Sequence, residues 1–364
     1  MGATVKADRP WQVPVLTEGA IRRRLRQRVP GSWLRRLERL IRWDPNERGI
    51  AGDRDLGILA CVRGDLRRAA RRLARPSGHV VLVTGFPVRT PLGLRAETDG
   101  PLGAALLAAT LSELGWRVHI VTDGLCFEVV RACAEALSAQ GCHLACEALD
   151  ELPSEPAHAQ HRLRTICGGD EPSVVIAVER PGRSHTPSTA RLNGRPDPVF
   201  AEVVPSGDWD CYHNCRGERL SELCVPLDRW FEPACGSWFT VGIGDGGNEI
   251  GMGKIPWRLL HVSVRGGVGG VIASRVPAAA LVVSGVSNWG AYGLAIAAAR
   301  YARRPEAARW IQPAMERLVM EAALAAGAVD GLSGRAIPLV DGQPLALHGQ
   351  LIVALRRAAR LPEP

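Results

Sequence analysis

Six short apolar runs, each followed by a polar or glycine-rich segment, are spread along the chain between residues 79 and 284. Their length, their apolar character and their β-branched residues are typical of buried β-strands. The predicted strands are His79–Thr84, Arg117–Thr122, His143–Ala148, Ser173–Val178, Trp238–Ile243 and Ala280–Ser284.

Longer segments with helical spacing of apolar residues lie between and after these runs. They predict helices over Leu102–Leu114, Leu125–Ala139, Ala291–Ala302, Pro305–Ala326 and Leu347–Leu361. Strands that alternate with helices indicate parallel βαβ units with right-handed crossovers. The sequence therefore predicts an α/β, Rossmann-like three-layer fold with a mainly parallel sheet. Residues 183–215 are polar and too long for a plain connection, so we expect a functional excursion or a lid there.

The N-terminal part has a different pattern. Apolar residues at near-helical spacing among arginines run from Ile21 to Trp43, with a break at Pro30-Gly31, and predict two amphipathic helices packed on the main body or on another subunit. We therefore divide the chain into an arginine-rich helical region, residues 1–76, and an α/β domain, residues 77–361.

Charge and composition restrict the classes of partner. The net charge is +8, and seventeen Arg with no Lys lie between Ile21 and Arg75, so the remainder of the chain is close to neutral. With five Phe and three Tyr there is little surface for stacking on bases, which argues against a nucleic-acid partner. We see no signal-like segment and no apolar run of about 18 residues, so we expect a cytoplasmic protein without a membrane partner.

The ten cysteines are interpreted as reduced thiols. Two groups resemble metal half-sites: Cys142, His143 and Cys146 form the first, and residues 211–215 contain the second. Structural zinc sites usually have tighter, paired spacing, so no metal site is predicted from them.

The stretch Trp238–Gly253, WFTVGIGDGGNEIGMG, combines a predicted strand with a glycine-rich acidic loop. The glycines allow a backbone to approach a ligand closely. Asp245 and Glu249 are four residues apart, a spacing that suits either a divalent cation or division of acid and base roles. The loop has no GK[ST] ending, and no nucleotide cofactor is predicted.

Several predicted strands end in polar or glycine-rich clusters. The carboxyl ends of parallel strands lie at one edge of a sheet, so we expect these clusters to form one pocket. They are Thr84-Gly85, Asp123-Gly124, Glu179-Arg180, Asp245 to Glu249, and Ser287-Asn288.

Structural roles remain open for the same residues. Asp123 and Asp99 are equally candidates for helix caps or helix-dipole partners. Glu179 and Arg180 are candidates for a structural ion pair, and the segment 287–288 for a cap of the helix that follows.

Five motifs in order resemble the family of the D-glutamate cyclase C-terminal domain. They are TGFP at 84–87, TDGP at 98–101, ERPG at 179–182, GIGDGGNEIGMG at 242–253 and GVSNWG at 285–290. The resemblance covers roughly residues 50–355 and includes Asn214 to Gly217. The segment from Ser184 to Cys211 departs from the family pattern. The family's lid or substrate-contact loop is therefore the part that can least be carried over to this chain.

The resemblance implies a lyase that converts D-glutamate to 5-oxo-D-proline and water, with a small-molecule substrate and no cofactor. Lactam formation needs a proton acceptor, a proton donor and a carboxylate clamp. We assign Asp245 or Glu249 as acid and base, and Arg180 or Arg216 as the clamp on a substrate carboxylate. The residues expected to contact substrate are Thr84, Gly85, Thr98, Asp99, Asp123, Glu179, Asn214, Arg216, Gly246, Gly247, Asn248, Ser287 and Asn288.

Two other functions stay open. One is a metal-dependent enzyme on another small carboxylate or a phosphorylated substrate, with a divalent cation held by Asp99, Asp245 and Glu249. The other is a non-catalytic amino-acid-binding domain. A homodimer through the N-terminal helices is a further expectation.

Overall fold

A computed structural model describes residues 17–26, 31–51, 56–91 and 93–361, and its centre is a six-stranded sheet in which all pairs are parallel. The strands are β1 (His79–Thr84), β2 (Arg117–Asp123), β3 (Ala145–Leu149), β4 (Pro172–Val178), β5 (Phe239–Gly244) and β6 (Ala280–Val283). The predicted strands are therefore confirmed, each within two residues at either end.

The strand order is β6-β5-β4-β1-β2-β3, the order of doubly wound dinucleotide-binding folds. The chain builds outward from β1 to β3 and then returns to the other side of β1 to begin β4. The connections that leave β1 and β4 therefore diverge and open a crevice at their carboxyl ends. This topological switch point is where ligands bind in such sheets.

Helices cover both faces of the sheet. They are α1 (Glu18–Arg26), α2 (Trp33–Ile41), α3 (Leu56–Cys61), α4 (Asp65–Leu73), α5 (Pro101–Glu113), α6 (Gly124–Ser138), α7 (Pro156–Ile166), α8 (Phe200–Val203), α9 (Trp257–Ser263), α10 (Gly269–Ile272), α11 (Ser287–Tyr301), α12 (Pro313–Ala325) and α13 (Leu345–Ala358). Shorter 3₁₀ turns are Ser206–Asp208, Ser221–Leu223, Leu227–Phe231 and Pro305–Trp310.

Alternate residues of β1 point into two separate cores, as the two-residue period of a strand requires. Val80 and Leu82 pack with α5, α6, α11, α12 and α13 on one side. Val81 and Val83 pack on the other side with α7 and the 3₁₀ turn that contains Trp230. Both faces are thus covered, which explains why the strands read as unbroken apolar runs.

Three small antiparallel hairpins stand outside the sheet. They are Pro87–Thr90 with Gly93–Ala96, Arg191–Leu192 with Arg195–Pro196, and Leu339–Val340 with Gln343–Pro344. The first lies in the connection between β1 and α5. No helix among the described residues has the length and apolar character needed to cross a membrane.

The predicted single helix from Pro305 to Ala326 is wrong. A 3₁₀ turn ends at Trp310, and α12 begins at Pro313. Gln312 is extended, with φ −148° and ψ 154°, because the residue before a proline is disfavoured in the helical region.

The N-terminal helices that the structure describes pack on the main body. α2 contacts α11 and α13, and a Cβ at Gly293 of α11 would lie 2.7 Å from Ile41 Cγ2, so glycine permits the close approach. The Gly285 N–H then donates to Ile41 O at 2.8 Å. These contacts direct the following segment over the end of β6, where Arg48 enters the crevice. Residues 1–16, 27–30 and 52–55 of the predicted helical region lie outside the described residues.

Candidate active site

Three buried carboxylates meet at the carboxyl edge of the sheet. Asp99 precedes α5, Glu179 follows β4 and Asp245 follows β5, and one oxygen from each lies within 4.8 Å of the others. All three side chains are at least 94% buried. The structure therefore brings together two of the clusters that the sequence placed at strand ends, with Asp99 of the TDGP motif beside them.

The N-terminus of α11 holds this carboxylate group together. The Ser287 N–H donates to Asp99 Oδ2 at 2.9 Å and to Asp245 Oδ2 at 3.1 Å, and the Asn288 N–H donates to Asp99 Oδ1 at 2.8 Å. The Ser287 hydroxyl donates to Glu179 Oε2 at 2.5 Å. Unpaired N–H groups and the positive end of a helix dipole favour negative charge, so α11 lowers the cost of placing carboxylates here.

Asn288 joins the same helix end to the start of α5. Its Oδ1 accepts hydrogen bonds from Gly100 N at 2.9 Å and Gly103 N at 2.7 Å, and its Nδ2 donates to Thr98 O. The Thr98 hydroxyl donates to Leu339 O at 2.8 Å. Asn288 and Thr98 therefore position the loop that carries Asp99.

Arg48 supplies positive charge that the sequence analysis missed. Its guanidinium forms ion pairs with Asp245 and, at 2.7 Å, with Asp341, and the residue is 8% exposed. Arg48 precedes the first strand and belongs to an arginine-rich region, so no local signal separates it from the other arginines there.

Burial changes the protonation of the carboxyl groups in this cluster. Desolvation, together with the nearby Asp341, raises the pKa of Asp99 from 3.8 to about 7. Desolvation and neighbouring acids, first Glu249, raise the pKa of Glu179 well above its usual value. Glu97 is buried beside the same group, and its pKa is raised for the same reasons. The cluster therefore retains protons near neutral pH.

Glu249 is part of the loop framework in this structure. Its Oε1 accepts the N–H groups of Asp245 at 3.0 Å and Gly246 at 2.6 Å, and its Oε2 accepts that of Gly247 at 2.8 Å. Gly247 has a φ of +98°, which favours glycine. The two glycine N–H groups expected to face a substrate are thus directed to Glu249.

Arg180 lies behind the cleft, 1% exposed. It pairs with Asp123 Oδ2 at 2.6 Å and donates to Gly85 O at 3.0 Å and Val225 O at 2.8 Å. Asp123 also caps α6 by accepting from Cys126 N at 3.3 Å. The guanidinium therefore joins three segments, and Asp123 takes the capping role that its sequence position allowed.

Two further predicted residues lie at the edges of this cluster. Thr84 ends β1, and its fully buried hydroxyl has no hydrogen-bond partner. Its neighbour Gly85 has a φ of +100°, and a Cβ there would lie 2.7 Å from Cys126 Cβ. Glycine is therefore required where the chain leaves the strand.

A cleft of about 480 Å³, including its open mouth, leads from the surface to Glu179. Most of the polar side chains that line it are charged, some acidic and some basic. The charged and amide side chains that line it are Arg48, Arg89, Glu97, Glu179, Asn214, Arg216, Asn248 and Asp341.

The segment 214–216 supplies part of the wall of the cleft. Asn214 Oδ1 accepts the Arg216 N–H at 2.9 Å, and the exposed Arg216 guanidinium donates to Leu332 O at 2.7 Å. Asn248 Nδ2 donates to His213 O at 2.8 Å. These bonds place an arginine at the mouth of the cleft and carboxyl groups at its floor.

The cysteine–histidine half-sites noted in the sequence do not assemble as metal centres in the part of the chain that the structure describes. Neither Cys142 with Cys146 nor Cys211 with Cys215 belongs to a group of three close ligands, and all ten cysteines are free thiols. Cys215 instead lines the cleft.

Fold and site together define an α/β protein with a Rossmann-like sheet and a carboxylate-lined cleft at its switch point. The family model "D-glutamate cyclase-like, C-terminal" matches residues 37–196 and 199–356, and the chain belongs to this family. The mitochondrial D-glutamate cyclase of Homo sapiens is 31% identical over 271 residues, which are 72% of this chain and 38% of the human protein. The chain thus matches well under half of the length of that relative.

Proposed function

We propose that this protein is a D-glutamate cyclase-like lyase that converts D-glutamate to 5-oxo-D-proline and water. Family membership and the similarity to human D-glutamate cyclase support the reaction class. The observation that carries the proposal is the position of Glu179, a buried carboxyl group with a raised pKa at the floor of a cleft that has an arginine at its mouth.

Glu179 has the properties expected of a general acid. It is 6% exposed, lines the cleft and accepts the Ser287 hydroxyl bond. Its φ of 43° lies in the left-handed region, which costs free energy for a residue other than glycine and is concentrated at functional sites. A carboxyl group kept protonated near neutral pH can donate that proton to a leaving group.

The reaction requires one bond to form and one to break. The α-ammonium of D-glutamate first loses a proton, and Asp341 is our choice of acceptor because its Oδ2 has no hydrogen-bond partner and the residue lines the cleft. The amine nitrogen then attacks the γ-carboxyl carbon, the C–N bond forms, and a second nitrogen proton passes to a γ-carboxylate oxygen, which becomes a hydroxyl group. The C–O bond to this hydroxyl breaks, and Glu179 protonates it as it leaves to give water. The proton held by Asp341 then returns to Glu179, which restores both carboxyl groups.

Positive side chains would hold the two carboxylates of the substrate. Arg216 lies at the mouth, where it would bind the α-carboxylate, and Arg48 lies inside, where it would stabilise the developing negative charge on the γ-carboxyl. Arg180, already bonded to three segments, would act by holding the loops in place. A closed cleft also removes part of the entropic cost of folding a flexible chain into a ring.

The reaction itself is tested by incubating the full chain with D-glutamate or L-glutamate and separating 5-oxoproline enantiomers by chiral chromatography. We expect D-specific product formation that persists with EDTA. Absence of product from both isomers would contradict the proposal. Thermal stabilisation by D-glutamate without product would instead support the amino-acid-binding function.

A metal-dependent enzyme is the second candidate. The close approach of Asp99, Glu179 and Asp245 would offer three carboxylate oxygens to a divalent cation such as Mg²⁺ or Mn²⁺. Glu179 replaces Glu249 in the set that the sequence suggested. Activity abolished by EDTA and restored by the cation would favour this candidate.

Participation in D-amino acid metabolism follows from the proposed reaction. Cytoplasmic location, a homodimer and the absence of a nucleic-acid partner stay predictions from the sequence.

A further inference from the structure

A second cluster of ligand-type side chains lies at the opposite edge of the sheet. His79 is the first residue of β1, His119 lies near the start of β2, and Cys167 follows the last residue of α7. One donor atom from each lies within 4.8 Å of the others. The proposed reaction uses none of these residues.

The fold explains why these three side chains meet. His119 is the registered partner of Val81, so His79, Val81 and His119 share one face of the parallel pair. Val81 packs in the same core as Cys167 and α7. The C-terminal end of α7 therefore brings the thiol to the face on which both imidazoles lie.

The donor atoms of the cluster lie close to the spacing of a tetrahedral metal site. His79 Nδ1 and His119 Nε2 are 2.8 Å apart, and one donor atom of Cys167 lies within 4.8 Å of both rings. Zinc–ligand bonds of about 2.0–2.3 Å in a tetrahedron place ligand atoms about 3.3–3.8 Å apart. Small rotations of the two rings would reach this spacing.

His79 and Cys167 of this cluster are buried, unlike a pair of histidines on the protein surface. His79 is 5% exposed and Cys167 is 1% exposed.

We propose that His79, His119 and Cys167 form a binding site for a Zn²⁺-like divalent metal. Two imidazoles and one thiolate are donors that zinc accepts in tetrahedral geometry, with a solvent molecule in the fourth position. Asp170, which Arg117 bonds at 3.3 Å, lies against the other ring nitrogen of His79 and would orient that imidazole as an outer partner.

The site would be structural. His79 and Thr84 stand at opposite ends of β1, so the metal would be about 16 Å from the cleft at about 3.3 Å per residue. It would fasten the starts of β1 and β2 to the end of α7. The alternative is a stacked pair of neutral histidines, with ring centroids 5.1 Å apart, beside a packed thiol.

The test is a titration of the metal-free full chain with Co²⁺, followed by absorption spectroscopy. A thiolate ligand gives a sulfur-to-cobalt charge-transfer band in the near ultraviolet, and tetrahedral geometry gives intense visible bands. An oxygen-only site such as the carboxylate cluster gives no thiolate band. We expect both features with one equivalent of Co²⁺, and competition by one equivalent of Zn²⁺.

Two variants and one control assign the ligands. Cys167→Ser should abolish the charge-transfer band, and His119→Gln should weaken Co²⁺ binding about 100-fold or more. Cys235→Ser, which removes another buried thiol, should bind as the wild type does. Circular dichroism in the presence of a chelator checks that each variant is folded.

Absence of a thiolate band in the wild type would overturn the proposal, whatever the variants do. The same band in Cys167→Ser would also overturn it, because the metal would then be held by another thiol such as Cys211 or Cys215.

Discussion

The Ser287 hydroxyl donates a hydrogen bond to Glu179 Oε2 at 2.5 Å and so joins the first residue of α11 to the end of β4. Both side chains are buried. The contact aims the carboxyl group, which occupies a left-handed backbone position, at the floor of the cleft. The proposed chemistry depends on this orientation.

Ser287→Ala should lower kcat by roughly 10- to 100-fold, because the hydroxyl stabilises the carboxylate that Glu179 becomes as it gives up its proton, and a hydrogen bond to a charged group contributes about 1.5–3 kcal/mol. The same loss should raise the pKa of Glu179 further, since the hydroxyl favours the carboxylate. Steady-state kinetics across pH would measure both effects. Ser138→Ala, in α6, is the control and should leave kcat unchanged. Equal kcat in both variants would show that the contact is not used.

Asp99 should make stability depend on pH. Its pKa is raised from 3.8 to about 7, so between these values the folded state binds more protons than the unfolded state. The free energy of unfolding therefore falls as pH rises from about 4 to 7. Glu97 and Glu179 shift in the same direction and add to the effect. Urea unfolding at several pH values measures this slope.

Asp99→Asn removes one titrating group and should flatten that slope. An amide at position 99 would face three backbone N–H donors, so the variant should be less stable than the wild type at every pH. The test therefore compares how steeply the free energy of unfolding falls with pH, not its absolute value. If the free energy of unfolding fell equally steeply with pH in the wild type and in the variant, the raised pKa of Asp99 would be contradicted.

Arg48→Met should destabilise the fold by about 3–5 kcal/mol, because it leaves Asp245 and Asp341 buried without their cation. Arg317→Met, on the exposed face of α12, should change stability by less than about 0.5 kcal/mol. Chemical denaturation measures both. A cost below about 1 kcal/mol for Arg48→Met would show that the two carboxyl groups do not need the arginine.

Glu249→Gln and Glu179→Gln should have different effects on the stability of the fold. In Glu249→Gln an amide replaces a carboxylate that accepts three backbone N–H bonds, so thermal stability should fall by about 1–3 kcal/mol. In Glu179→Gln stability should change little or rise, because a buried carboxyl is replaced by a neutral group. Thermal unfolding of both variants tests this. A larger loss of stability in Glu179→Gln than in Glu249→Gln would contradict these assignments and favour Glu249 as the acid–base group.

The apolar pattern predicted most of the fold, for a physical reason. Parallel strands buried on both faces must be apolar throughout, so runs such as His79–Thr84 and Ser173–Val178 are visible in one sequence. The break before Pro313 was not predicted, because apolar residues at helical spacing continue on both sides of it.

The convergence of the polar side chains could be predicted from the sequence, but not which of them line the cleft. Polar residues after parallel strands indicated the edge of the sheet at which the structure brings them together. The sequence does not show which way a side chain points, so Glu249 and Arg180, which bond to the backbone, resembled Glu179, which lines the cleft. Arg48 was missed because its role depends on how α2 packs against α11.

The most direct measurement of the central claim is the rate at which Glu179→Gln forms 5-oxo-D-proline from D-glutamate, beside the wild type and the exposed control Glu151→Gln. Loss of a general acid costs about 10²- to 10⁴-fold. We predict a fall of that size in kcat for Glu179→Gln, with the control at the wild-type rate and both variants folded. Wild-type turnover by Glu179→Gln would contradict the role of this carboxyl group and with it the proposed mechanism.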